Sequence, residues 1–414
     1  MRIPKFWRNV ATVLTGTVAA QALPLLALPI FTRFLTPSEL GTYFVWFGAV
    51  SILMVAATGR FDMAVFGAET PSQVLCTIKT GILVGAAIAL LAILAAITTP
   101  HIVRYDLLPL GVRDHLTAWA VLGFVLAINQ LVLAVYVYDA RYLSHAVNKT
   151  LLAAGVTVAQ LLAVWLSLGV EGLIQFHVLA ATCITAFLTI RVYRTLKYQI
   201  PPDDRRESIR QNLTRNYRFP LIAMPADFIN TFAAQLPLFL ITASYSSSAA
   251  AAYALTLRVL VVPIGLVSGS ILTVFKERAS TAFRTTGNCR SAYLSTLRTL
   301  FLLGLAPFFL AWFALEPAFS LIFGEQWVEA GSYAKILLPM FFMKFIASPL
   351  GYTFYITQRQ HYDLIWQSSV LIMTWLVFTQ TNSINTALAA YSAAYSFLYL
   401  VYIALSYRAS HGNC

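Results

Sequence analysis

LTGTVAAQALPLLALPIFTRFLTPSELGTYFVWFGAVSILMVAATGRFDMAV (Leu14–Val65) carries two apolar runs separated by one polar turn, Thr32–Glu39. Each run approaches the ~20 residues that an α-helix needs to cross a bilayer. The pattern continues to the end of the chain. The runs are Val10–Phe31, Leu40–Thr58, Gly81–Thr98, Leu116–Tyr136, Leu151–Gly169 and Leu173–Ile190, then Phe219–Ala243, Ala249–Val274, Leu297–Leu315, Tyr333–Thr357, Leu364–Phe378 and Thr386–Tyr407. Apolar and polar residues do not alternate, which argues against a membrane β-barrel. Charged residues make up 11% of the chain and hydrophobic ones 59%, against about 25% charged in soluble domains. The expected fold is an all-α, polytopic membrane protein of about 12 transmembrane helices. Leu364–Phe378 is the shortest run and would borrow residues from its flanks.

The basic start, Met1–Arg8, followed by an apolar run resembles a secretory leader, with Ala20-Gln21-Ala22 as a cleavage-like string. The run continues through Leu23–Phe31, so a full span is expected instead. With twelve spans, Arg33, Arg104, Arg113 and Lys335 fall on one side and Arg258 and Lys344 fall inside spans. All other basic residues of the 28 fall on the opposite side. This bias places both termini in the cytoplasm. The net charge of +12 then reads as a topology signal and as attraction to anionic membrane lipids. Basic residues scattered over short loops do not suit nucleic acid. Cys76, Cys289 and Cys414 fall on the inner side and Cys183 in a span, with no metal-ligand spacing among them.

The longest charged stretch, Arg191–Arg218, has six runs before it and six after. The expected organisation is an N-terminal six-helix lobe (1–195), a basic cytoplasmic linker (196–216) and a C-terminal six-helix lobe (217–414). The halves echo each other. Ala20-Gln21-Ala22-Leu23-Pro24-Leu25 resembles Ala234-Gln235-Leu236-Pro237-Leu238, Tyr43 matches Tyr253, and Val65-Phe66 matches Val274-Phe275. Two copies of equal orientation imply an axis along the membrane normal and a cavity between halves. Pro24, Pro29, Pro225, Pro237, Pro263, Pro339 and Pro349 fall within spans, where each removes a helix hydrogen bond.

Charge inside hydrocarbon costs roughly 2.5–3.5 kcal/mol per group and marks function. Arg258 and Lys344 lie nine and eleven residues into their runs. Both are therefore expected near mid-depth, as a cavity for an anion or as partners of a carboxylate such as Asp227. Asp227 and Asn230 share one helical face. Asp227 would carry a proton or pair with Arg258 or Arg218. The string Gly59-Arg60-Phe61-Asp62 follows the second span, and the apolar character resumes at Met63–Ala68. The helix is thus expected to continue past a glycine kink. Arg60 would then meet a lipid phosphate at inner headgroup depth, or pair with an acidic residue. Gln21, Gln235, Asn129 and Gln130 are neutral polar groups suited to sugar contact or to helix–helix hydrogen bonds.

No GxxxxGK[ST] loop, HExxH motif or GxSxG elbow is present, so no cofactor, metal or catalytic residue is expected and the chain is not read as an enzyme. The outer loops His101–His115 and Glu316–Ser332 are small for a glycan polymerase.

Four strings resemble the bacterial polysaccharide flippases of the multidrug/oligosaccharidyl-lipid/polysaccharide exporter superfamily. They are the opening string (Leu14–Val65), FPLIAMPADFINTFAAQLPLFLI (Phe219–Ile241), YALTLRVLVVPIGLVSGSILTVFKERAS (Tyr253–Ser280) and FGEQWVEAGSYAKILLPM (Phe323–Met340). The resemblance implies two six-helix lobes around a cation-lined cavity in the bacterial inner membrane. It implies that an undecaprenyl-diphosphate-linked oligosaccharide crosses from the cytoplasmic to the periplasmic leaflet by alternating access. The product would feed O-antigen lipopolysaccharide, capsule or exopolysaccharide, with polysaccharide polymerase and chain-length machinery as partners. It assigns Arg60 and Arg258 to motif positions. Lys344 joins them by depth alone, as diphosphate ligands. Asp227 or Asp62 would couple an ion, and Gln21, Asn230 and Gln235 would line the cavity. A cation-coupled drug antiporter of the same superfamily, or a membrane glycan polymerase, is the competing expectation.

Overall fold

The computed structural model describes residues 5–102, 110–201 and 207–412. Arg2, Arg104, Cys414 and the Pro202–Arg206 part of the expected linker lie outside the described residues. Among the described residues, twelve long helices account for most of the chain: α1 Lys5–Phe34, α2 Pro37–Thr58, α3 Pro71–Ile102, α4 Leu116–Tyr138, α5 Tyr142–Trp165, α6 Gly169–Gln199, α7 Met224–Ser244, α8 Ser247–Thr286, α9 Arg290–Phe323, α10 Val328–Leu350, α11 His361–Gln380 and α12 Ile384–Ala409. Eleven candidate spans among these residues are long and apolar enough to cross a membrane. The run at 364–378 does form a 20-residue helix, α11, but Gln367, Ser368, Ser369, Thr374 and Thr379 dilute its apolar character. All-α architecture is thus as expected, with eleven clear spans and one weaker helix.

The chain divides into two compact units, Met1–Gln235 and Leu236–Cys414. In the first, α1 packs on α5, α5 on α6, α2 on α4, and α4 on both α3 and α6. Small residues set these distances. A Cβ on Gly16 would collide with the Ala146 side chain and backbone, so α1 and α5 meet at a glycine, as membrane helices often do. Thr36 starts α2 with a reciprocal capping box. Its side chain accepts from the Glu39 N–H, and the Glu39 carboxylate accepts from the Thr36 N–H, with Pro37 at the first helical position. Beyond α6, Ser208 and Gln211 cap a short helix, Ile209–Asn216, in the same way. Asn212 pins it to α3 through Thr77 at 3.0 Å.

In the second unit α10 is central and packs on α8, α9 and α12. At 40 residues α8 is about 60 Å long, twice the hydrocarbon thickness. Gly287 ends it in a left-handed conformation (φ 72°) with its N–H on the Phe283 carbonyl. Along α12, Tyr391, Tyr395, Tyr399 and Tyr402 recur at four- and three-residue spacing and form a continuous aromatic stack with Trp366 of α11. Asp363 closes its end, accepting from Tyr402 (3.0 Å) and Gln367 (3.0 Å). The Val-Phe echo is not structural. Val65 sits in a 3-10 turn, whereas Val274 and Phe275 lie inside α8.

Candidate functional site

The helix does not continue past Gly59. Gly59 (φ 53°) and Arg60 (φ 56°) are both left-handed, and the Gly59 N–H turns back to the Ala56 carbonyl. The chain then makes a short helix, Phe61–Ala64, and a 3-10 turn, Val65–Gly67, before α3. The expected kink is therefore a full break. Left-handed backbone costs an L-residue about 1–2 kcal/mol, and here it falls on Arg60. Such strain is found where surrounding structure holds a functional group in place.

The break aims the Arg60 side chain at two carboxylates. Its Nε lies 2.7 Å from Asp227 Oδ2 and its Nη1 3.6 Å from Asp62 Oδ2. The closer approach is off the N–H axis, so it is a charge contact and not an aligned hydrogen bond. Asp227 thus has Arg60, from the turn after α2, as an ion-pair partner. Phe219 packs against the cluster that Phe61 and Ala64 of the same turn form with Leu131 of α4. Between Phe219 and Asp227 the backbone widens into a π-helical segment, Phe219–Ala223. Pro225 follows closely and has no N–H to continue an α-helical ladder there. Burial pushes the Asp62 carboxyl above its ordinary range, opposed by the Arg60 charge and assisted by that of Asp227. Its Oδ1 is buried without a hydrogen-bond partner.

Lys344 belongs to the second unit. It lies on α10 in a cavity of about 160 Å³, with Val261, Gly265, Ser268 and Gly269 of α8 facing it and Ser348 one turn further along α10. Among the described residues it has no ion pair, and its ammonium lies 5.9 Å from the Phe341 ring. Gly265 and Gly269 leave open space where a Cβ would stand. The expected Arg258–Lys344 pair does not form at one depth. Thr256 of α8 bonds the Ala330 carbonyl at 2.7 Å, so α8 and α10 are level there, near Arg258. Lys344 is level with Ser268, ten residues further along α8, or about 15 Å. Lys344 is also only six residues, about 9 Å, from the Leu350 end of α10.

Among the neutral polar residues, Gln21 and Asn230 are exposed and Gln235 is half-buried. Asn129 and Gln130 bond between helices, to Thr185 at 3.3 Å and to Met54 Sδ at 3.7 Å. Sequence reasoning missed His177, which is buried in α6 between Tyr43 and Gln160. The available signal was a lone histidine inside the apolar run Leu173–Ile190.

The sequence profile of the family described as "Polysaccharide biosynthesis protein" matches residues 30–332. No curated protein sequence matches the chain significantly. Among solved structures, an inward-facing multidrug resistance MATE family transporter of the MOP superfamily superposes with a TM-score of 0.69 at 14% identity, covering 93% of each chain. The lipid II flippase MurJ, in an inward closed conformation, gives 0.65 at 12% identity over 96% of this chain and 87% of its own. The Vibrio cholerae MATE transporter VcmN, as a point mutant, gives 0.61 at 15% identity over 97% and 95%. At these identities the likeness is one of fold, and the fold is that of MOP-superfamily transporters and flippases.

Proposed function

The chain belongs to the polysaccharide biosynthesis protein family and has a transporter fold, and from that premise we propose that it translocates a polyprenyl-diphosphate-linked oligosaccharide across a bacterial inner membrane. The observation that carries this reading is the Lys344 cavity. A cation held in a span without an ion-pair partner among the described residues is costly unless an anion visits it. Two glycines and two serines leave space and hydroxyls for phosphate oxygens. Its position near the Leu350 end of α10 suits capture of a lipid headgroup from the inner leaflet, given cytoplasmic termini.

Arg60 would supply a second phosphate ligand at the inner surface, exchanging Asp227 for the diphosphate. That exchange frees Asp62 and Asp227 to bind a coupling ion. Arg258, about 15 Å nearer the start of α8, would be met later in the passage, with Gln21, Asn230 and Gln235 as glycan contacts. Residues 1–195 and 217–414 would act as two six-helix lobes joined by 196–216 and exchange access by turns. The two carboxylates beside Arg60 also suit a cation-coupled antiporter, but a lysine in a span with no ion pair among the described residues favours an anionic substrate. Binding of a polyprenyl diphosphate to the purified protein tests the choice. Lys344→Met should weaken it by about 10- to 150-fold, equivalent to the roughly 1.5–3 kcal/mol of a charged hydrogen bond. Equal affinity of wild type and Lys344→Met would remove the cavity from the substrate path.

A further inference from the structure

A second polar centre lies wholly inside the first unit, toward the opposite end of α2 from Arg60. Tyr43 (α2), Gln160 (α5) and His177 (α6) are each at least nine-tenths buried. Gln160 Nε2 donates to the Tyr43 hydroxyl at 2.6 Å, and Tyr43 Oη lies 2.9 Å from His177 Nδ1. Gln160 Nε2 also faces Nδ1 at 3.4 Å. With an amide donor beside it, Nδ1 is assigned as the acceptor, so the imidazole is neutral with its proton on Nε2. Two more buried polar atoms nearby, Trp46 Nε1 and Thr157 Oγ1, have no hydrogen-bond partner. Trp46 meets the imidazole edge-on and Thr157 is one turn from Gln160.

The three helices offer this centre from one end. Tyr43 is six residues from the start of α2, Gln160 five from the end of α5, and His177 eight from the start of α6. All three therefore lie about 7–12 Å below the same face. Glu39 stands one turn nearer that face on the side of α2 that carries Tyr43. Its Oε2 is used in the cap, while Oε1 turns toward Gly169 at the start of α6, 3.1 Å from where a Cβ would be. Side chains on a helix lean toward its N-terminus, so Tyr43 leans toward Glu39.

Resting on the translocator reading, we propose that His177 is a proton-binding site loaded from the Glu39 face through Tyr43, and that this proton is a coupling ion. The step is balanced. The Tyr43 hydroxyl proton passes to the Nδ1 lone pair, and the phenol oxygen regains one proton from the Glu39 side. The net change is imidazole plus one proton giving imidazolium. Afterwards Nδ1–H donates and Tyr43 accepts. Phe47 stacks on the imidazole at 5.3 Å and supplies a π-face for the cation.

Among the described residues, the charged groups on the surrounding elements lie toward the ends of their helices. On α2 the titratable groups are Glu39 and Tyr43, and on the short helix Leu110–Asp114 that packs on α2 they are Arg113 and Asp114. Glu171 is at the start of α6, and Arg191, Arg194 and Lys197 are at its far end. His145 and Lys149 are at the far end of α5, and Cys76 and Lys79 at the far end of α3. Arg33 is in the last turn of α1, His115 is the residue that precedes the start of α4, and α4 itself carries Tyr136 and Tyr138 at its far end. The imidazole is thus the group at this centre whose unperturbed titration falls between about pH 5 and 8.

The test uses the full chain, ¹⁵N-histidine-labelled, in lipid nanodiscs, with His177→Gln and His177→Asn identifying the resonance. The proposal expects one imidazole to titrate reversibly within about pH 5–8, to vanish in both variants, and to shift its midpoint in Tyr43→Phe. In liposomes, a one-unit pH gradient coupled to one proton biases translocation by about tenfold. His177→Gln should lose that bias and retain gradient-free exchange. An imidazole that stays neutral down to about pH 4.5, or an undiminished gradient response in His177→Gln, overturns the proton site and leaves the translocator reading intact. Absence of translocation by wild type, with the His177 titration present, overturns the translocator reading instead.

Discussion

Arg60 sits in a left-handed conformation (φ 56°) and holds an ion pair to Asp227 at 2.7 Å. Those two facts predict a stability order that ordinary substitution rules would not. Arg60→Ala keeps the left-handed cost and loses the ion pair. The two side chains are 20% and 39% exposed, so solvent screening holds the pair to about 1 kcal/mol or less. Arg60→Gly loses the same pair but relieves the backbone cost of about 1–2 kcal/mol, less what glycine gives back in unfolded-chain entropy. Arg60→Gly should therefore unfold near wild type, and Arg60→Ala below both by about 1 kcal/mol, a few degrees in Tm for a large domain. Asp227→Asn should match Arg60→Ala. Thermal unfolding in detergent, followed by tryptophan fluorescence, reads the order directly. If Arg60→Gly melts at or below Arg60→Ala, the strain is not what shapes this turn.

Gly16→Ala should destabilise by about 1–3 kcal/mol, because its Cβ meets Ala146 of α5. Gly265→Ala should be stabilising by about 0.5–1 kcal/mol, since nothing lies within 4 Å of that Cβ and alanine favours helix; a lower midpoint for Gly265→Ala, or a higher one for Gly16→Ala, would contradict the corresponding prediction. For Asp62, burial raises the folded-state pKa above 3.8. The folded state then holds the extra proton, and its stability contribution is full below pH 3.8 and lost as pH rises through the folded pKa. Asp62→Asn should thus gain over wild type at neutral pH and lose that gain as pH falls toward 3.8, read as unfolding midpoints across the pH range. The Cys289 thiol is fully buried and pushed up to about 11 by that burial, so it should resist maleimide at about pH 7–8 in the folded protein and react once denatured; prompt labelling of Cys289 in the native state would contradict its placement.

The helices are legible in the sequence because apolar runs of spanning length leave few other solutions in a bilayer. The α11 helix is harder to read because its serines, threonines and glutamines lower its hydropathy without stopping a helix. The break at Gly59-Arg60 reads as a kink, since a glycine followed by more apolar residues has no sequence mark for two consecutive left-handed residues. Counting from the start of each run puts Arg258 and Lys344 at one depth. The Thr256–Ala330 bond shows that the runs start at different heights. That offset comes from tertiary packing of α8 on α10, which periodicity does not encode. Asp227 stands out in the sequence as a carboxylate in an apolar run, but its partner Arg60 lies far earlier in the chain, beyond the reach of spacing rules. His177 is inconspicuous there because its meaning depends on Tyr43 and Gln160 arriving from two other helices.

The most direct measurement is the leaflet accessibility of a polyprenyl-diphosphate-linked oligosaccharide in proteoliposomes holding wild type or Lys344→Met. The account predicts that wild type exposes glycan on the opposite leaflet, and that Lys344→Met, inserted at equal density, slows this by about 10- to 150-fold. Equal rates in the two preparations, or none above empty liposomes for wild type, would contradict it.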